Sequence, residues 1–311
     1  VAASAIRSSG IPAMRRGAAV AALASVLSGC AARQPADGAN PPPPDPARAT
    51  AAAPPRTADS RGPAAERVEL SDDTLARALK ALDEAPTSEA YRRVAVEYRR
   101  LRVYDEAEEY YSGAITVDPK NAAAFDGLAR TWRDWGLPRQ GLAHAYMAVH
   151  LAPDWAAAQN TLGTMLYVLG NAPEARRRFE RAIALEPEAA YALNNLCYLS
   201  FTEGDEVRAI AFCTEALRRQ PGLTAARNNL ALVHAAAGRL AQSEREFLAA
   251  GSRGIGFYNL GIVHMARRDY PKAAAAFETA FRERPSLWEA HVRAREARTL
   301  AAQTPGTSTR N

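Results

Sequence analysis

A chain of 311 residues ordinarily divides into about two domains. Its net charge is +5, and the expected loss of Arg7, Arg15 and Arg16 with an amino-terminal leader lowers that to +2. So small a balance argues against a nucleic-acid partner or an acidic substrate. Arginine supplies all but Lys80, Lys120 and Lys272 of the 39 basic residues, so no single arginine carries much weight as a site residue.

Residues 14–30 read MRRGAAVAALASVLSGC. A basic head, Met14-Arg15-Arg16, precedes an apolar run from Gly17 to Leu27, the order of a signal peptide with Met14 as its start. The run is shorter than the roughly 20 residues needed to cross a bilayer. It ends in Leu27-Ser28-Gly29-Cys30, which resembles the lipobox of bacterial lipoproteins. The resemblance implies removal of residues 1–29, diacylglycerol on the Cys30 thiol and a third acyl chain on the freed amine. At about 0.8 kcal/mol per buried methylene, such a set of chains anchors firmly. Ala31, where an aspartate would favour the inner membrane, implies sorting to the outer membrane with the folded part facing the periplasm.

The stretch 30–65 carries Pro35, Pro41 to Pro44, Pro46, Pro54, Pro55 and Pro63 among many alanines. It cannot bury a core and is expected to be a disordered, extended tether. At about 3.1 Å per residue it would reach on the order of 100 Å at most. Residues 66–87 come next as a capping segment. Ser71-Asp72-Asp73 suits a helix start, and Leu75, Leu79 and Leu82 form one apolar stripe, so a helix is expected over 71–85.

Pro119, Pro153, Pro187 and Pro221 then recur every 34 residues. A fixed period of that size means stacked copies of one unit. In units starting at 88, 122, 156 and 190, Leu128, Leu162 and Leu196 share position 7, and Ala129, Gly163 and Cys197 share position 8. Ala175 and Ala209 fall at position 20, Phe179 and Cys213 at 24, and Ala148, Ala182 and Ala216 at 27. Small residues at 8, 20 and 27 let two antiparallel helices approach closely. The proline ends the second helix, because the residue before it is pushed out of the α region.

This pattern resembles the tetratricopeptide repeat. It implies an all-α fold, a right-handed superhelix (α-solenoid) of about six helix–turn–helix repeats over 88–287. A capping helix at 288–303 and a loose tail at 304–311 would complete it. Repeats five and six begin at Thr224 and Gly254, and Pro285 follows Pro221 by 64 residues rather than two full periods. The second helix of repeat five is therefore expected to lose about one turn. Gly251 to Gly256 reads as a shortened turn and not a phosphate loop, since no strand precedes it and no Gly-Lys-Ser/Thr follows.

No Ser/His/Asp, paired-carboxylate or Cys/His pattern has useful spacing. The expectation is therefore no enzyme, no cofactor, no metal site and no small-molecule substrate. His234 and His264 share position 11 and read as packing residues. Cys197 and Cys213 occupy positions 8 and 24 of repeat four, facing each other across the helix pair. A disulfide in an oxidising periplasm is one reading, and two small buried thiols are the other.

The resemblance also implies a binding surface, formed by positions 2, 5, 6, 9, 12 and 13 of each first helix. Asn160, Asn194 and Asn228 at position 5, with Asn195, Asn229 and Asn259 at position 6, resemble the asparagine ladder of peptide-binding arrays. An amide both donates and accepts, matching a peptide backbone. Tyr167, Tyr191, Tyr198, Phe201 and Tyr258 are expected to line the same channel. Arg92, Arg93, Arg99, Arg130 and Arg133 are expected to make its amino-terminal end basic. The implied function is a non-catalytic, lipid-anchored scaffold for a peptide or protein partner, similar to lipoproteins of pilus and secretion-system assembly. An adaptor in peptidoglycan or outer-membrane-protein biogenesis is the alternative.

Overall fold

A computed structural model describes residues 72–303. The expected signal peptide, Cys30, the proline-rich linker and the 304–311 tail lie outside the described residues. Among the described residues there are fourteen α-helices and no strand. A single helix, α1 (Asp73–Glu84), comes first, followed by six pairs. These are α2 (Ser88–Arg100) with α3 (Tyr104–Val117), α4 (Ala122–Asp134) with α5 (Pro138–Leu151), and α6 (Ala156–Val168) with α7 (Ala172–Leu185). Next come α8 (Ala190–Thr202) with α9 (Glu206–Arg219), α10 (Thr224–Ala236) with α11 (Leu240–Ala249), and α12 (Arg253–Ala266) with α13 (Tyr270–Glu283). A last helix, α14 (Trp288–Gln303), closes the described chain.

Local chemistry sets these boundaries. Asp72 caps α1, its carboxylate accepting from the backbone N–H groups of Thr74 and Leu75 at 3.1 and 2.9 Å. Side chains of Thr87, Asn121, Asn171, Asp205 and Asp269 cap later helices in the same way. Each satisfies one of the unpaired N–H groups of a first turn. At the other end, Asp118, Ala152, Glu186, Gln220 and Arg284 each precede a proline. Each has left the helix, with φ between −144° and −131°, as the proline ring requires. The second helix of repeat five, α11, has 10 residues where the other second helices have 14.

The turn inside each repeat passes through a left-handed residue at position 15. Glycine supplies it at Gly136, Gly170, Gly204 and Gly238, with φ from 80° to 87°, but arginine does so at Arg102 (64°) and Arg268 (60°). A side chain in that region costs roughly 1–2 kcal/mol, partly offset by the freedom that glycine gives the unfolded chain. Arg268→Gly is therefore expected to stabilise the protein by up to about 1 kcal/mol. A rise in the urea midpoint with an unchanged slope would register it, and an unchanged midpoint would contradict it.

The chain divides between Ala192 and Leu193 into two compact units. In the amino-terminal unit the core gathers Leu75, Val94, Tyr98, Tyr111, Leu128 and Trp132. A side chain added at Gly163 would begin 2.7 Å from the Phe179 ring. A separate close approach lies at Gly127, position 6 of repeat two, where a side chain would begin 2.2 Å from the Tyr111 ring of repeat one. In the carboxyl-terminal unit, one added at Gly261 would begin, as at Gly163, 2.5 Å from the Phe277 ring. A small residue at position 8 and a ring at position 24 are thus two halves of one fitted contact. Repeat four fills that place with sulfur. Cys197 and Cys213 are joined by a disulfide of 2.02 Å with Cα atoms 5.2 Å apart, and Leu230 packs against it. In repeat two both positions are small, Ala129 and Ala145, and the methyl of Met165 reaches in beside Gly141.

Candidate functional site

Within each compact unit, position 5 of one first helix meets position 6 of the next at several places. In the carboxyl-terminal unit the amide of Asn229 donates from Nδ2 to Asn194 Oδ1 at 2.9 Å. Asn259 Nδ2 lies 3.4 Å from Asn228 Oδ1 in the same relation. One repeat further on the register reaches Tyr258 and Arg293, whose side chains interact. Arg293 of α14 therefore stands where another asparagine would continue the series. In the amino-terminal unit the equivalent places hold Asp126 and Thr161, whose side chains interact.

These rungs alter the reading of the asparagines. The amides tie neighbouring repeats together before they meet any ligand. A rung consumes one N–H of one amide and one lone pair of the other, leaving further donors and acceptors on both. All six asparagines are half-buried, and the rungs hold Asn194, Asn228, Asn229 and Asn259. Asp126, Thr161 and Arg293 were not singled out in the sequence, because they break the run of asparagines. Their positions, 5 and 6 of the period, were the available signal.

The basic end is less basic than expected. Glu89 accepts from Arg92 at 2.7 Å and from Arg93 at 3.0 Å. Asp134 holds Arg99 at 3.0 Å and Arg133 at 2.7 Å, while Arg130 lies 3.7 Å from Asp126. Arg92 above all holds the Glu89 carboxyl below its usual range. Five guanidinium groups thus share three carboxylates, which leaves an excess of two charges where the sequence suggested five.

The aromatic residues also divide. Phe201 is a correction, because it is 3% exposed and packs in the core with Leu232, Val233 and Phe247, not along a channel. Position 12 of α8 is directed at α10 and is covered by it. Tyr191 donates its hydroxyl to Glu186 Oε2 at 2.9 Å, and burial together with that carboxylate drives its pKa up. Tyr198 leans on Phe201 with ring centroids 6.3 Å apart. Tyr258 sets its edge against Phe277 at 5.4 Å. Tyr167, on α6, is half-buried.

Asp126 is the least satisfied group among these residues. It is 3% exposed, and its Oδ1 has no hydrogen-bond partner. Burial pushes its carboxyl above the usual range, against the opposing hydrogen bond from Thr161 and the charges of Arg130, Arg133 and Arg99. With a folded pKa above the unfolded one, the native state holds more protons in the window above the ordinary aspartate value. Stability is therefore lost as pH rises through that window. Asp126→Asn is expected to be more stable than wild type at neutral pH, with the difference closing as pH falls toward about 4. Urea unfolding across that range tests this, and a gap that persists unchanged into acid would contradict it.

Burial also lowers the pKa of His144, His234 and His264, in keeping with packing positions. Among the described residues, no three His, Cys, Asp or Glu side chains gather in a way that could hold a metal ion. No described helix is long and apolar enough to cross a membrane.

Residues 160–224 and 258–302 match one tetratricopeptide repeat family model, and residues 88–121 match a second. The chain thus carries tetratricopeptide repeats over the matched residues. Human DnaJ homolog subfamily C member 7 is 32% identical over 127 residues, 41% of this chain and 24% of that protein. Its mouse counterpart is 27% identical over 234 residues, 70% of this chain and 47% of that protein. The chain therefore spans between a quarter and a half of the length of these curated relatives. Among solved structures, PilW, described as a widely conserved type IV pilus biogenesis factor, superposes with a TM-score of 0.57 at 22% identity. The match covers 66% of this chain and 97% of that one. The pilF protein of Pseudomonas aeruginosa gives 0.53 at 19% identity, covering 70% and 99%. At such identities the likeness is one of fold.

Proposed function

We propose that this chain is a non-catalytic scaffold that holds an extended peptide or protein segment along positions 5 and 6 of its first helices. In this reading a lipid on Cys30 tethers it to the outer membrane on the periplasmic side, and it serves pilus or secretion-system assembly. The observation that carries the binding surface is the series of half-buried amide rungs, Asn194–Asn229 and Asn228–Asn259, each retaining unused donors and acceptors. The order of basic head, apolar run and Leu27-Ser28-Gly29-Cys30 supports the anchor. The fold shared with two pilus-related proteins supports the pathway.

The test is a cross-linked pull-down from native envelopes with wild-type protein and with an Asn195→Ala, Asn229→Ala, Asn259→Ala variant as baits. A partner recovered by the wild type and lost from the variant is the expected result. Equal recovery by both would overturn the groove. Because the rungs also join helices, the variant must first show a wild-type helical spectrum and retain most of its thermal stability. A Cys30→Ser form released from the membrane fraction is the expected result for the anchor, and one that stays membrane-bound would contradict it.

A further inference from the structure

The turns inside the first three repeats are apolar where those of the later repeats are polar or charged. Position 14, the first residue of each turn, is Leu101, Trp135 and Leu169 in repeats one to three. In repeats four to six it is Glu203, Ala237 and Arg267. Position 16 repeats the contrast, with Val103 and Leu137 in repeats one and two against Asp205, Arg239 and Asp269 in four to six. Positions 14 and 16 lie outside those assigned to the groove. Val168, which ends α6 beside the third of these turns, is 53% exposed.

Within the amino-terminal unit, Leu101, Val103, Trp135 and Leu137 are partly buried against one core. The Trp135 ring stacks on Trp132 at 5.2 Å and tilts toward Tyr104 at 6.3 Å. Each turn is three residues long, and the space beyond it is open. A side chain added at Gly136 or Gly170 would meet nothing within 4 Å. Apolar surface of this kind with a polar rim marks a protein or a membrane contact.

Charge decides between them. Residues 99–105 and 133–139 hold five arginines and two aspartates, a net of +3. Asp134 takes Arg99 and Arg133, and Arg100 pairs with Asp72 and Glu97, while Arg102 and Arg139 are exposed at the rim. A second copy meeting this edge through its own would set arginine against arginine, whereas an anionic lipid surface attracts both. Tryptophan and tyrosine favour the headgroup level of a bilayer, and arginine reaches from an apolar site toward phosphate along its own stem.

We propose that the turn edge of repeats one to three is a membrane-contacting surface for anionic phospholipid. Trp135 and Tyr104 sit at the headgroup level, and Arg102 and Arg139 face the phosphates. The contact is independent of a lipid on Cys30 and of the asparagine rungs, so it stands or falls without either.

The probe is a pair of vesicle preparations, phosphatidylcholine alone and an equal mixture with phosphatidylglycerol, both containing brominated acyl chains that quench tryptophan emission. The full chain carries Cys30→Ser, which keeps acyl chains out of the measurement. Residues 14–30 contain no tryptophan, so an apolar leader lying in the bilayer produces no signal. Quenching by the mixed vesicles is expected, weakening as salt is added, and most of it should vanish in Trp135→Phe. The lipid needed for half-maximal quenching should rise about fivefold in Arg102→Gly, which removes one charge near the surface. Glycine suits the left-handed backbone there, at φ 64°, so the fold is not weakened. Val168→Asp should raise it about tenfold, and Val207→Asp, on the second helix of repeat four, should leave it unchanged. No quenching, equal quenching by both preparations, or equal behaviour of Val168→Asp and wild type would overturn the proposal. Quenching that survives Trp135→Phe but is lost in Trp288→Phe would move the contact to α14 and overturn it as well. Self-association without vesicles, abolished by Val168→Asp, would assign the edge to a second copy instead.

Discussion

Replacing Phe179 by alanine is expected to lower stability by about 3–5 kcal/mol, the cost of deleting a buried ring whose surroundings relax only in part. The ring is 2% exposed and is seated where a side chain on Gly163 would begin, so α6 and α7 can close on it only because position 8 is glycine. In a repeat array, damage to one unit is felt first by that unit and its neighbours. Hydrogen exchange should therefore rise in α6 and α7 before the rest of the chain, with the urea midpoint falling as well. The contact can also be tested as a pair. Gly163→Ala alone overpacks and should cost about 1–3 kcal/mol, but beside Phe179→Leu it partly refills vacated space. The two changes together should then cost less than their sum. Strict additivity would mean that the two positions are not one contact.

Removing the Cys197–Cys213 disulfide is expected to cost about 3 kcal/mol. The bridge joins residues 16 apart, and the chain-entropy account assigns roughly that amount to a loop of about 15 residues. Both cysteines are fully buried, so a reductant alone would act only after local opening. Comparing wild type with a Cys197→Ala, Cys213→Ala double variant avoids that delay, because alanine suits both small positions. A urea midpoint unchanged by the double substitution would contradict the expectation, as would two free thiols counted in the denatured wild type.

The period was legible because its causes are local and repeated. Prolines after second helices, small residues at 8, 20 and 27, and the missing turn before Gly251 each constrain the backbone wherever they occur. Other features needed the stacking itself. The pairing of Arg99 with Asp134 crosses one period plus one residue, and the Asn194–Asn229 rung does the same. Neither is visible along a single helix. Phe201 misled because position 12 was read from the repeat as a whole, whereas in repeat four Leu232 and Val233 cover it. The arginines misled in the opposite direction. Glu89, three and four residues before Arg92 and Arg93, was a visible partner on the same helix face, and counting only the cations left it out.

The central claim is that a partner lies along positions 5 and 6 of the first helices. The most direct measurement places a photoreactive amino acid at Asn229, the donor half of one rung, or at Val207, which is 80% exposed on the second helix of repeat four. Each form is irradiated in native envelopes and the adducts are identified by mass spectrometry. The account predicts a defined adduct from position 229 and none of that mass from position 207. The same partner captured from 207 and not from 229 would contradict it and move the binding surface to the second helices.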